Sequence, residues 1–105
     1  MWLLLNDSFV NIVADRDQAD CLMVTARLAT DIPRLFPDAD VIVLADADYR
    51  YRAFITRDEV AKVIAARITA IDYDEFKGSI AEPHRYRAYR QVFDPLLEMQ
   101  QDERR

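Results

Sequence analysis

Tyr49-Arg50-Tyr51-Arg52-Ala53-Phe54-Ile55-Thr56-Arg57-Asp58-Glu59 decides the fold. Side chains of a strand alternate between two faces. Tyr49, Tyr51, Ala53 and Ile55 therefore share one face, and Arg50, Arg52 and Phe54 share the other. The aromatic and β-branched content suits a strand. At Thr56 the period changes. Thr56-Arg57-Asp58-Glu59 reads as a capping box, with Thr56 at the N-cap and Glu59 three residues on. Val60, Ile64, Ile68 and Ile71 then recur at helical spacing, widened by Ala61, Val63 and Ala65. A strand feeds directly into an amphipathic helix.

Upstream, Trp2–Leu5 and Phe9–Ala14 are apolar runs around Asn6-Asp7-Ser8, which reads as a hairpin. Cys21–Leu28 alternates as a third strand, with Leu22, Val24, Ala26 and Leu28 inward and Thr25 and Arg27 outward. Thr30 or Asp31 caps a short helix through Ile32, Leu35 and Phe36, stopped by Pro37. Val41–Leu44 is apolar on both faces and is expected inside the sheet.

Downstream, Asp72-Tyr73-Asp74-Glu75 repeats the capping pattern before Phe76 and Gly78. A last helix starts near Pro83, with Tyr86, Tyr89, Phe93 and Leu96 or Leu97 as its stripe. Asp94-Pro95 is expected to break it, and residues 100–105 to fray. The fold class is α+β: about five mostly antiparallel strands in the first half, with helices from the second half packed on one face. Residues 1–105 are expected to form a single compact domain.

Composition narrows the function classes. Of the 105 residues, 51% are hydrophobic, which excludes a disordered chain. The net charge of −5 is uneven. Residues 1–48 hold nine aspartates and three arginines, leaving −6, whereas the remainder is close to neutral. An acidic first half argues against generic DNA binding or attraction to anionic lipid, so direct nucleic-acid binding and membrane association are not expected. One cysteine permits no internal disulfide and suits a reducing, cytoplasmic compartment. No apolar run approaches the ~20 residues of a membrane span, and Met1-Trp2-Leu3-Leu4-Leu5 lacks the basic start of a signal peptide.

Candidate chemistry is sparse. Asp38, Asp40, Asp46 and Asp48 bracket one strand, but five strand residues hold the two pairs roughly 17 Å apart, too far to share a metal ion. His84 is the single histidine and lies among Arg85, Arg87 and Arg90. Neither Ser8 nor Ser79 sits in a nucleophile elbow, and Cys21 is remote in sequence from His84. No catalytic, cofactor or metal residues are assigned. Arg50 and Arg52 with the arginines and tyrosines of the last helix could stack RNA. The parity of the strand instead separates Tyr49 and Tyr51 from Arg50 and Arg52, and the arginines are expected to pair with the surplus aspartates.

Several stretches carry a family resemblance: Leu5-Asn6-Asp7-Ser8-Phe9, Ile12-Val13-Ala14-Asp15-Arg16-Asp17, Asp31-Ile32 with Phe36-Pro37, Ala47-Asp48-Tyr49-Arg50-Tyr51-Arg52-Ala53, and Ile71-Asp72-Tyr73-Asp74 with Phe76-Lys77. The chain resembles a family of short bacterial proteins encoded near phage-derived or other mobile DNA. It departs at Arg85-Tyr86-Arg87-Ala88-Tyr89, where an Arg-His-x-Ala-Tyr pattern is expected and the histidine stands at position 84. The resemblance transfers no catalytic residue. It implies a setting among inhibitors of bacterial defence systems, anti-CRISPR proteins included.

The expectation is thus a non-enzymatic interaction protein. Asp15, Asp17, Asp20, Asp46 and Asp48 would form an acidic edge covering a basic surface of a protein partner, such as a nucleic-acid-binding defence complex. The alternatives are a small metal-dependent hydrolase or nuclease using aspartates, and a nucleic-acid binder centred on Arg50, Arg52 and the last helix.

Overall fold

The structure is a computed structural model and describes residues 1–103. It divides into two compact units, Met1–Asp72 and Tyr73–Arg105, the second described as far as Glu103.

The first unit is an antiparallel sheet with two helices. Its strands are β1 (Trp2–Leu4), β2 (Phe9–Ala14), β3 (Cys21–Ala26), β4 (Ile42–Val43) and β5 (Tyr51–Thr56). They lie in the order β1-β2-β3-β5-β4, and every pairing is antiparallel. The β1–β2 turn is closed by the Leu5 amide donating to the Ser8 carbonyl at 2.8 Å. The alternation expected of the β5 stretch holds, since Ala53 and Ile55 are buried and Phe54 is exposed. The strand begins at Tyr51 rather than Tyr49, which lies in the preceding bend.

Helices α1 (Asp31–Leu35) and α2 (Arg57–Thr69) cover one face of the sheet. Ile32, Leu35 and Phe36 from the α1 segment and Val60 from α2 join Val10, Ile12, Val24, Ala26, Ala53 and Ile55 in one core. Thr56 caps α2 through its hydroxyl, which accepts from the Glu59 amide at 3.2 Å. Thr30 precedes α1 without capping it; its hydroxyl donates to Asp31 instead, 2.9 Å away. Asp31 is buried and accepts from the Phe9 amide at 3.0 Å, tying α1 to β2.

Three expectations about this unit are corrected. Val41–Leu44 yields an edge strand, not an interior one, and Ile42 and Val43 are exposed. Only two of its residues pair, so apolar character alone does not draw it inside. Leu28, expected to face inward, lies beyond the end of β3 and is exposed, whereas Thr25 faces away from the core as expected and is nonetheless buried. It is a short side chain between Asn11 and Arg52 in register, and it bonds Asn11. The stripe of α2 is used only in its first half: Val60 is buried, Val63 and Ile64 are half-buried, and Ile68 and Ile71 are exposed. The helix ends at Thr69, before Ile71.

The second unit has a 3-10 turn, Lys77–Ser79, and helix α3, Pro83–Glu103. The pattern Asp72–Glu75 is followed by the expected short turn at Phe76, which continues through Gly78 to Ser79. Pro83 takes the first helical position, where its missing N–H costs nothing. Asp94-Pro95 does not break the helix, which runs through Pro95. It also stays helical past Gln100; Arg104 and Arg105 lie outside the described residues. Phe76 stacks on Tyr89 and meets Phe93 edge-on, with centroids 6.2 and 6.1 Å apart. Arg85 is buried, donating to Glu82 at 2.9 Å and to the Tyr89 hydroxyl at 3.2 Å. Leu96 and Leu97 are exposed, so the stripe of α3 is buried only near its N-terminal end.

Candidate functional site

The pairing registers assemble a second face that no single strand reveals. Opposite the helices, one row crosses all five strands: Trp2, Asn11, Thr25, Arg52 and Ile42. At strand spacings near 4.8 Å the row spans roughly 19 Å. Beside it on the same face runs Val13, Met23 and Phe54. Trp2, Val13, Ile42 and Phe54 are 56%, 38%, 44% and 49% exposed. The Trp2 ring meets Phe9 edge-on at 5.3 Å. This face is therefore apolar at its margins and polar at its centre.

The centre is formed by Asn11, Thr25 and Arg52. The Asn11 amide donates to the Thr25 hydroxyl, and that hydroxyl donates to the Asn11 carbonyl oxygen, both at 3.3 Å. Among the described residues Arg52 has no ion pair with a carboxylate. Its Nη1 lies 3.9 Å from the Met23 sulfur, and its Nε is buried without a hydrogen-bond partner among the described residues. Pairing of the strand arginines with the surplus aspartates was expected; Arg52 does not do this. Other arginines do pair with aspartates, Arg27 with Asp48 at 3.0 Å and Arg67 with Asp7 at 2.6 Å. Arg27 also lies over the Tyr49 ring, 4.2 Å from its centroid.

The five aspartates expected to form an acidic edge fall into two groups. Asp15, Asp17 and Asp20 lie in the β2–β3 connection, at the Cys21 end of β3. Asp46 and Asp48 lie in the β4–β5 connection, which adjoins Tyr51 and hence the Ala26 end of β3. The sheet thus separates them by the length of a six-residue strand, roughly 20 Å. They flank the open face at both ends and do not make one surface. Asp15 is also a turn residue, accepting from the Asp17 amide at 3.0 Å.

The remaining candidates stay apart. Cys21 is buried, and its thiol donates to Gln18 at 3.3 Å. Burial, followed by the charges of Asp20 and Asp15, pushes that thiol above its ordinary value of 9.0, which makes it a poor nucleophile. His84 is exposed in the first turn of α3. Among the described residues no three His, Cys, Asp or Glu side chains converge as a metal site. No described helix is long and apolar enough to cross a membrane.

Sequence reasoning placed Arg52 and Phe54 on one face but did not join them to Trp2, Asn11 and Thr25. Period-two alternation marks which residues share a side of one strand. Only the inter-strand register shows which of them become neighbours.

No family model matches the chain, and no curated protein and no solved structure is found to be similar to it. The family resemblance rests on the motifs quoted for it alone.

Proposed function

We propose that the chain is a non-catalytic protein-binding module whose recognition surface is the open face of the sheet. The observation that carries this reading is the group of large apolar side chains left exposed there: Trp2, Val13, Ile42 and Phe54. Large apolar side chains exposed on a rigid sheet favour a protein partner, because burying them stabilises a complex by about 25 cal/mol per Å². The aspartates at the two ends of the sheet add fixed negative charge around the face. They steer a partner with basic residues flanking its docking surface, acting chiefly on the association rate. An inhibitor that covers a working surface of a bacterial defence complex, the setting implied by the family resemblance, is one use for such a module.

Comparative capture tests this. The wild-type chain and Phe54→Glu are immobilised separately and exposed to nuclease-treated bacterial lysate, and the retained proteins are quantified. The expected result is a protein held by the wild type and lost by the variant, with both baits melting at similar temperatures. Equal retention by the two baits would remove the open face as the binding surface.

A further inference from the structure

We propose that Arg52 is the anchor of this surface and that it takes a carboxylate side chain carried on an apolar stretch of the partner. The inference rests on the binding reading above and names the chemistry at its centre. Arg52 lies fourth in the five-residue row, between Thr25 and Ile42 in register. Its guanidinium is held only by the Met23 sulfur, a weak acceptor, and its Nε is buried without a partner among the described residues. A buried donor with no acceptor is costly, and a turn of the side chain that brings it to an arriving acceptor recovers that cost.

The geometry of the cation selects the acceptor. A guanidinium offers a planar fork that matches a carboxylate with two parallel hydrogen bonds. No acid on this face competes for it. The strand residues facing this side are Trp2, Leu4, Phe9, Asn11, Val13, Cys21, Met23, Thr25, Arg52, Phe54, Thr56 and Ile42, with no acid among them. Arg27 and Arg67, by contrast, already have Asp48 and Asp7. Met23 touches the guanidinium, and Ile42 and Phe54 hold neighbouring positions on the same face, so a partner that covers them excludes water from the charge pair, the arrangement in which such a pair contributes most. A nucleic-acid phosphate is the competing anion. The acidic groups at both ends of the sheet repel a polyanion spanning the face, whereas a single carboxylate on an apolar segment carries no such charge beyond the centre.

The test uses short synthetic peptides of apolar residues around a central Glu, each with a Gln twin, and a fluorescein-labelled single-stranded oligonucleotide. Binding is read by fluorescence anisotropy and by the ¹⁵N NMR signal of the Arg52 Nε–H. The expected result is a set of Glu peptides bound about tenfold or more tightly than their twins, the scale of a charge-assisted pair, with the Nε–H signal shifting on addition. Arg52→Gln should bring the Glu-to-Gln ratio to about one, Arg52→Lys should leave an intermediate ratio, and Phe54→Ala should weaken both twins equally. Equal binding of the twins by the wild type overturns the carboxylate anchor and leaves the protein-binding reading standing. Failure of every Glu peptide to bind overturns the anchor too, and Arg52-dependent binding of the oligonucleotide alone overturns both.

Discussion

Strand β5 presents two faces whose residues differ by one step along the chain. Ala53 and Ile55 are buried beneath the helices, while Arg52 and Phe54 lie among partly exposed neighbours on the other side. The same division runs through β3, with Val24 and Ala26 on one side and Met23 on the other. Within the first unit, α1 and α2 cover one face of this sheet, and the strand residues of the opposite face include a single charge, Arg52. A purely solvated face would be polar throughout, its residues alternating along each strand with the apolar ones of the covered face. Here the outer set mixes exposed apolar side chains with Asn11 and Thr25 and carries one arginine that is unpaired among the described residues, the contrast on which the proposed binding role rests.

The largest expected effect comes from exchanging the two characters. Val24→Asp places an unpaired charge at a position with no exposure. It should cost about 3–5 kcal/mol and leave little folded protein, because domains are marginally stable. Phe54→Asp, one strand over on the open face, should keep a cooperative melt and lose under about 1 kcal/mol. Circular dichroism melts of both decide the matter. Equal loss of stability would mean that both faces are core. Val60→Asp belongs with Val24→Asp, since Val60 is where α2 meets the core. Ile64 is only half-buried and should be the milder site.

Next in size is Asp31. Its buried carboxylate accepts the Phe9 amide and holds α1 to the covered side. Asp31→Ala should cost about 1–3 kcal/mol, through the amide left without an acceptor. Urea denaturation measures this directly. A loss below about 0.5 kcal/mol would mean that apolar packing of Ile32 and Phe36 alone secures the helix.

These contrasts show what the residues disclose and what they withhold. The Thr56–Glu59 cap, the hairpin around Asn6-Asp7-Ser8 and the alternation from Tyr51 to Ile55 depend on neighbours within a few positions, so they were legible. The place of Val41–Leu44 in the sheet depends on which strands pair, and its apolar run misled. Pro95 misled for a related reason: loss of one backbone hydrogen bond can be absorbed when the flanking turns are sound. Ile68 and Ile71 continue a helical stripe beyond the length of sheet available to cover it. The open face shares this dependence on register, since Trp2 and Arg52 become members of one row only through three successive pairings.

Smaller again is the linkage at Asp7. Partial burial alone would raise its carboxyl, but the hydrogen bond and charge of Arg67, the Ser8 hydroxyl and Arg34 outweigh it, and the group titrates below its ordinary 3.8. A carboxyl depressed by folding contributes stability above its unfolded value and loses it as pH falls through the folded value. The wild type should therefore exceed Asp7→Asn by under about 1 kcal/mol near neutral pH, the pair being partly exposed, and the difference should vanish below the ordinary carboxylate range. Paired denaturation curves from neutral pH down to the point where the folded carboxyl is itself protonated measure it. A gap that persists at low pH would assign the effect to packing or to the turn rather than to charge.

The smallest stability effects belong to the aspartates at the two ends of the sheet, where the comparison between faces becomes one between ends. Asp15→Asn with Asp17→Asn keeps the size and turn-forming ability of both residues and removes two charges. Asp46→Asn with Asp48→Asn does the same at the other end and also breaks the exposed contact with Arg27. Each pair should change stability by less than about 1 kcal/mol, since exposed substitutions and surface ion pairs contribute little. Because the groups stand roughly 20 Å apart, beyond the ~8 Å screening length at physiological salt, their effects should add in the quadruple variant. The same additivity should appear in the association rate with a captured partner, and raising the salt should weaken the contribution of both ends. Strong non-additivity in the melt would mean that the two groups are electrically coupled and form one acidic surface after all. If only one end alters the association rate, then the partner approaches from that end and the open face is entered along its strands rather than from above.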